Sequence, residues 1–357
     1  MERVGKISFA LILTGLISAG IGFAISIADR SAQSQPPGSS PKSVQFTGAV
    51  IAGGEFTAVK LPGRHGTDYI YPTASDIQYF AGKGMNVIRV PVLWERLQRR
   101  LGLALDETEM RRIDAVVKAA ESKQVKVIID IHNFATYAGS TIGTEKVPVE
   151  ALGNLWNLIA ARYRNRDMVA FGLMHAPTRL QTEAWLTASN IAIAEIRRTG
   201  ARNLILVAGN GWSAARDWSS AMYGIPNSEA MLQSFDPGMN SVFEVNQNFD
   251  HDFSGTHAEC RDANVGVESL KGFTDWARKN RKRGFLSQFG TGPDQTCLDA
   301  LDNTLQFMAE SNDVWLGWTY WAGGAWWPKD YYTNISPLDG ADRPQMKILE
   351  RYISRDY

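Results

Sequence analysis

Short apolar runs alternate with amphipathic segments along residues 44–357. Eight such runs follow one another in the chain: VQFTGAVIA, MNVIRVPV, VKVIIDIH, MVAFGLMH, NLILVAG, VFEVNQ, GFLSQFG and VWLGWTYW. Runs of this kind predict buried strands. Most of the segments between them place apolar residues three and four positions apart, which predicts helices. One of these segments, TEMRRIDAVVKAAESK, opens after Asp106, a residue type that caps helices.

Eight strands separated by helices over roughly 310 residues predict a single α/β domain, a (β/α)8 TIM barrel. A doubly wound sheet is the alternative, but no glycine-rich phosphate-binding loop follows any of the runs. In such a barrel the chemistry lies where strands end and loops begin. The residues at those predicted ends are Arg89, Asp130, His132, Asn133, His175, Ala176, Asn246, Asn248, Gln288 and Trp321.

The amino-terminal segment predicts export. Residues 7–28 form an uncharged run, ISFALILTGLISAGIGFAISIA, that follows two basic residues. The run is long enough to span a bilayer, and it also resembles a long signal peptide with Ser26-Ile27-Ala28 as its cleavage site. We therefore expect a periplasmic or extracellular protein whose segment 1–28 is either cleaved or retained as a membrane anchor. Residues 29–43 are polar and predict a flexible linker, which leaves 44–357 for the folded domain.

Composition narrows the set of partners. The 37 Lys and Arg residues balance the 37 Asp and Glu residues, and zero net charge argues against a nucleic acid partner. The two cysteines, Cys260 and Cys297, would pair in an oxidising compartment and contribute about 3–4 kcal/mol; two buried free thiols are the alternative. We expect a monomer. No metal or other cofactor is expected either, because no cluster of metal-ligating residues stands out.

Several segments resemble glycoside hydrolase family 5, the cellulase-like retaining β-glycanases. NVIRVPVLWERLQ resembles the second-strand segment of that family, with Arg89 as its site arginine, and IIDIHNFATYAG resembles the third, with His132. The stretches FSGTHAEC and YWAGGAWW are most similar to the secreted endo-β-1,4-glucanases. The resemblance covers essentially the whole of residues 44–357. It implies a β-linked glucan as partner, with Trp321 as a platform for a sugar ring.

The departures from the family fall at its reaction centre. Where family members carry Asn-Glu-Pro, His-x-Tyr and Glu-Phe-Gly, this chain has His175-Ala176-Pro177, Asn246-Gln247-Asn248 and Gln288-Phe289-Gly290. The resemblance thus implies that Ala176 stands at the position of the acid/base glutamate and Gln288 at that of the nucleophile.

Retaining hydrolysis needs two carboxyl groups about 5–5.5 Å apart. A methyl group and a neutral amide supply neither, and a loss on the order of 5–10 kcal/mol in transition-state stabilisation would leave negligible turnover. The sequence therefore predicts a pseudoenzyme that binds a β-glucan or exopolysaccharide without cutting it. Its expected binding residues are Arg89, His132, Asn133, Tyr137, His175, Asn246, Asn248, Gln288, Trp321 and Trp327.

Two alternatives remain open. A hydrolase with relocated groups would need an acid and a base across the groove, about 6.5–9.5 Å apart if it inverts configuration. A scaffold that no longer binds sugar would be favoured by bulky side chains filling the groove. The carboxylates near the strand ends, among them Glu55, Asp130 and Glu244, are expected to be structural partners of Arg89 or of loop amides.

Overall fold

The structure is a computed structural model that describes residues 43–353. The predicted leader (residues 1–28) and residues 29–42 of the predicted linker lie outside the described residues. The predicted domain boundaries therefore stay predictions. Within residues 43–353, no helix combines the length and the apolar character needed to cross a membrane.

Eight parallel strands close into a barrel. Each strand pairs with the next one in the chain, and the last pairs with the first. The strands are β1 Phe46–Ile51, β2 Val87–Val92, β3 Lys126–Ile131, β4 Val169–Gly172, β5 Ile205–Ala208, β6 Ser241–Asn246, β7 Gly284–Phe289 and β8 Trp315–Gly323. Six of the eight predicted runs contain a whole strand and the other two overlap one, so the predicted (β/α)8 fold is confirmed.

Helices follow the strands on the outside of the barrel. The helix that was expected after Asp106 begins there, because the Asp106 carboxylate accepts hydrogen bonds from the backbone N–H groups of Thr108 and Glu109. The α-helices are Ala74–Gly82, Trp94–Leu97, Glu107–Glu121, Glu150–Tyr163, Thr182–Arg198, Asn227–Ala230, Val265–Lys279, Gln295–Glu310 and Pro344–Leu349. Short 3-10 helices cover Gly211–Ser213, Ala215–Asp217 and Met231–Gln233, and a small hairpin pairs Thr136–Tyr137 with Ser140–Thr141.

The barrel interior has an apolar layer near the amino ends of the strands and a charged layer closer to their carboxyl ends. An apolar layer is formed by Val87, Ile128, Ala170, Leu206, Val242, Phe285 and Leu316. Side chains two positions apart on a strand point to the same face. The residues two positions after Val87, Ile128 and Val242 are Arg89, Asp130 and Glu244, and all three are buried. The apolar layer therefore supports a charged layer closer to the strand ends.

Most tryptophans belong to the core. Six of the eleven are fully buried, namely Trp94, Trp156, Trp185, Trp218, Trp315 and Trp318. Two of them donate their indole N–H to backbone carbonyls near strand ends, Trp156 to Leu173 at 2.9 Å and Trp185 to Ala208 at 2.7 Å. These hydrogen bonds satisfy the one polar atom of each ring. The other five tryptophans are half-buried or exposed, and one of them, Trp276, also packs against the core.

The two cysteines form a disulfide. Cys260 and Cys297 are joined with Cα atoms 5.2 Å apart. The bond ties the loop after β6 to the first turn of the helix Gln295–Glu310. It confirms the pairing that the sequence predicts, and it excludes the alternative of two free thiols.

Replacing both cysteines by serine should lower the free energy of unfolding by about 3–4 kcal/mol, because the bond closes a loop with a sequence separation of 37 residues. Urea unfolding followed by tryptophan fluorescence measures the difference. Dithiothreitol should lower the stability of the wild-type protein and leave that of the double variant unchanged. Equal sensitivity of both proteins would contradict the assignment.

Candidate active-site groove

Three adjacent hollows lie at the carboxyl ends of the strands and share Trp321. The largest, of about 640 Å³, is lined among others by His132, Phe134, His175, Ala176, Trp212, Asn246, Asn248, Gln288 and Trp321. A second, of about 420 Å³, continues past His132 and Trp321 to Glu55 and Trp327. The third, of about 240 Å³, lies between Gln288 and Tyr331. We call the three together the groove.

A buried ion cluster lies beneath the groove. The Arg89 guanidinium donates to Oδ1 of Asp130 at 2.9 Å and to both carboxylate oxygens of Glu244. Burial raises the pKa of Asp130, but the charge of Arg89 and the hydrogen bond from His132 outweigh it and hold that pKa below its usual range. Burial raises the pKa of Glu244, and Arg89 offsets this only in part. The predicted structural role of both carboxylates as partners of Arg89 is confirmed.

Two stacked imidazoles form part of the groove wall. The rings of His132 and His175 are parallel, with centroids 3.8 Å apart, and the edge of Phe134 meets both. Nδ1 of His132 lies 2.8 Å from Oδ2 of Asp130, so this nitrogen carries the proton that the carboxylate accepts. Burial and the neighbouring His132 hold the pKa of His175 well below its usual range. His175 is therefore a neutral imidazole.

Amides occupy the centre of the largest hollow. The Asn246 amide donates to the Trp212 carbonyl at 2.9 Å and accepts from the Ser287 hydroxyl at 2.9 Å. The Asn248 amide donates to the Phe253 carbonyl at 3.1 Å. Among the described residues, no group donates to the buried Oε1 of Gln288. These neutral groups form hydrogen bonds but carry no charge.

Aromatic rings border the groove on several sides. The indole N–H of Trp321 donates to the Tyr331 hydroxyl at 2.9 Å, and Trp327 stacks on the Tyr331 ring with centroids 4.1 Å apart. Phe134 and Trp212 line the largest hollow and are 40% and 46% exposed. Exposed flat rings are suited to stack on the apolar face of a pyranose.

The backbone of three lining residues is strained. Phe134, Ala176 and Trp212 have φ angles of 52°, 47° and 59°, in the left-handed region that residues other than glycine seldom adopt. Conformations of this kind cluster at ligand and active sites. Ala176 therefore lies at a turn whose left-handed backbone is typical of such sites.

Carboxylates lie at the edges of the groove. Asp217 and Asp252 line the largest hollow, and Glu55 and Glu95 line the second. Glu55 is half-buried, and its Oε2 accepts a hydrogen bond from the Gly53 backbone at 2.8 Å. Burial raises the pKa of Glu55, and the nearby His132 offsets this only in part.

Three of the predicted binding residues have other roles. Arg89 is fully buried in its ion cluster and lines none of the three hollows. Tyr137 likewise lines none of them; its hydroxyl donates to the Gln98 carbonyl at 2.8 Å and its ring packs on Trp94. Asn133 reaches the second hollow, but its amide accepts from the Trp94 backbone and donates to Glu95. Arg89 and Tyr137 therefore lie outside the hollows, where both are bonded to internal partners.

The other predicted binding residues come together. His132, His175, Asn246, Asn248, Gln288 and Trp321 line the largest hollow, and Trp327 lines the second. The predicted binding set omitted Tyr331 and Glu55. Tyr331 follows β8 in a long loop without any sequence signal, whereas Glu55 follows the end of β1 and is detectable as a strand-end carboxylate.

The buried trio of Asp130, His132 and His175 does not suit a metal ion, although one ligand atom from each lies within 4.8 Å of the others. Both oxygens of Asp130 are already bonded, one to Arg89 and one to His132. The two imidazole rings are stacked face to face, so their nitrogen lone pairs, which lie in the ring planes, do not converge on a common point.

The chain is similar to known cellulases in sequence and in structure. The cellulase family (glycosyl hydrolase family 5) matches residues 45–324. Endo-beta-1,4-glucanase B of Aspergillus niger is 32% identical over 346 residues, which cover 95% of this chain and 98% of that protein. XacCel5A, solved in complex with cellopentaose, is 45% identical with a TM-score of 0.86, over 87% of this chain and 99% of that chain. Endoglucanase Cel5A of Pseudomonas stutzeri, solved in complex with cellobiose, is 32% identical with a TM-score of 0.79, over 88% and 93%.

The His175→Asn variant should be less sensitive to acid than the wild-type protein. The pKa of His175 is lower in the folded state than in the unfolded chain, where it lies near about 6.5. Below that value the unfolded chain binds the extra proton, so stability is full above pH ~6.5 and falls by up to about 1.4 kcal/mol per pH unit as the pH decreases. Asparagine does not bind a proton in this pH range, so the stability of the variant lacks this dependence on pH.

Chemical unfolding of both proteins at several pH values between 7 and 5 measures this difference. The stability of the wild-type protein should decrease more steeply than that of the variant. Parallel curves would show that His175 is not held neutral in the folded protein.

Proposed function

The chain belongs to glycosyl hydrolase family 5, and we propose that it is a member that binds a β-1,4-linked glucan along its groove without hydrolysing it. One observation carries the proposal. Ala176 and Gln288 line the same hollow, and the resemblance implies that they stand at the positions of the two family glutamates. Their side chains provide neither a proton donor nor an anionic nucleophile.

The rest of the hollow supports binding. Trp321 lines all three hollows, and Phe134 and Trp212 add partly exposed rings to the largest one. Rings of this kind stack on sugars, and the amides of Asn246 and Asn248 suit hydroxyl groups. The cellopentaose and cellobiose complexes of the two similar structures support a β-glucan as ligand. Hollows of about 640 and 420 Å³ also argue against the scaffold alternative, which expects a filled groove.

A hydrolase with relocated groups is the second candidate, and Glu55 is the observation that favours it. Its pKa is raised by burial, so it retains its proton to a higher pH than an ordinary glutamate. A raised carboxyl pKa is a property that general acids need. Asp217 and Asp252, which line the neighbouring hollow, would have to supply the base.

We further propose that residues 7–28 direct export of the domain from the cytoplasm. The segment is then either removed or retained as a membrane tether. The Cys260–Cys297 disulfide supports export, since such bonds persist in oxidising compartments.

The full-length protein should bind cello-oligosaccharides, and Trp321→Ala should weaken binding. Loss of one stacked ring removes about 0.5–1.5 kcal/mol, which is a two- to tenfold rise in Kd. Isothermal titration calorimetry with cellopentaose measures both proteins. Phe235→Ala is the control, because Phe235 is 68% exposed and lines none of the three hollows. Absence of binding by the wild-type protein at millimolar ligand would contradict the proposal.

Restoring both glutamates should restore cleavage. Ala176 already carries a Cβ in its strained conformation, so a glutamate there adds no new backbone cost. We expect new reducing ends from cello-oligosaccharides with Ala176→Glu/Gln288→Glu and only background with either single variant, since retaining hydrolysis needs both groups.

Cleavage by the unaltered protein would instead favour the second candidate. Glu55→Gln then distinguishes the two accounts, because it should abolish that cleavage only if Glu55 is the relocated acid.

A further inference from the structure

A second cluster of potential metal ligands lies in the loop after β6. His251, Asp252 and His257 each offer one ligand atom, and these three atoms lie within 4.8 Å of one another. The imidazole rings of the two histidines are 4.6 Å apart and steeply inclined, unlike the stacked pair in the groove. All three residues are exposed. Their side chains can therefore converge on an ion without disturbing the core.

The loop that carries these residues is held by a buried carboxylate. Asp250 is 3% exposed, and it accepts hydrogen bonds from the Ser254 hydroxyl and from the backbone N–H groups of Gly255 and Thr256. Asp250 also pairs through its backbone with Cys260, which the disulfide fixes to the neighbouring helix. The backbone of the loop is thus ordered before any ligand arrives.

Asp250 also sets the orientation of one histidine. Nδ1 of His257 lies 3.3 Å from Oδ2 of Asp250 and 3.5 Å from Oδ1 of Asp252, so in the Nδ1–H tautomer the ring N–H points at these carboxylates and Asp250 is the nearer acceptor. The lone pair of Nε2 is then available. Histidines that bind metals characteristically donate their other ring N–H to a carboxylate or carbonyl, and this loop has that arrangement.

His251 is not committed elsewhere. Among residues 43–353, its ring contacts His257 but forms no hydrogen bond or ion pair with another group. Of the five histidines in the chain, His132 and His175 are buried in the groove wall and His65 packs against Tyr69 and Tyr71. The exposed pair in this loop is the one suited to an ion from solvent.

We propose that His251, Asp252 and His257 form a binding site for a divalent transition metal ion of the Zn²⁺ class. Two imidazoles and one carboxylate match the ligand preference of such ions, and hard cations such as Mg²⁺ favour sites made only of oxygen. Three protein ligands leave a fourth position of a tetrahedral ion open to water. Around such an ion the ligand atoms are roughly 3.3 Å apart, so the exposed side chains need to move together slightly.

The site lies beside the groove. Asp252 lines its largest hollow, and His257 lines the hollow between Gln288 and Tyr331. A bound ion would therefore place positive charge at the groove rim. The proposal does not depend on glucan binding, and the two are tested separately.

Calorimetric titration with Zn²⁺ tests the site. The sample is the full-length protein without a polyhistidine tag, freed of metal by a chelator. One Zn²⁺ should bind per chain, and His251→Ala and His257→Ala should each weaken that binding at least tenfold. His65→Ala is the matched control, because it removes an exposed histidine outside the cluster and should leave the affinity unchanged.

Two further measurements make the result decisive. Co²⁺ in place of Zn²⁺ should produce the visible absorption of a tetrahedral nitrogen and oxygen site, and this absorption should be lost in His251→Ala. The thermal unfolding midpoint without metal should be the same for the variants and the wild type, which shows that they fold. Absence of saturable Zn²⁺ binding by the wild-type protein would overturn the proposal, as would an unchanged affinity in both histidine variants.

Discussion

Arg89 carries its charge inside the barrel, where its side chain and those of Asp130 and Glu244 are at most 1% exposed. An unpaired charge in such a place costs several kcal/mol, so the three side chains must remain together. Because they come from β2, β3 and β6, their contact fixes the relative positions of three strands. The second oxygen of Asp130 then holds His132, whose ring stacks on His175. The wall of the groove is thus built outward from a buried arginine.

The shape of the groove rests on contacts that do not involve positions 176 and 288. These contacts are the ion cluster, the stacked imidazoles and the Trp321–Tyr331 hydrogen bond. None of them requires a carboxyl group at position 176 or 288. Two facing carboxylates in a partly dry hollow repel each other and are costly to desolvate. Neutral side chains at both positions remove that cost, and residues selected for catalysis commonly reduce stability.

The loop after β6 follows the same principle at the groove rim. One buried carboxylate, Asp250, accepts hydrogen bonds from the loop backbone and orients His257, while the disulfide holds the loop end. A site that is ordered in advance loses less conformational freedom when a ligand binds. In both places a buried charged residue positions side chains that lie nearer the surface of the groove.

Much of the fold was determined by the sequence alone. The apolar runs predicted all eight strands, and Asp106 predicted the start of a helix, because burial and capping are local patterns. The strand-end rule also predicted His132, His175, Asn246, Gln288 and Trp321 in one groove. Only the tertiary structure decided which of the predicted side chains face the groove and which bond to internal partners. Tyr137 and Arg89 bond to internal partners, Tyr331 joins the groove wall, and His251 and His257 form the proposed metal site. These arrangements depend on partners from distant loops and on side-chain directions, which no local sequence pattern encodes.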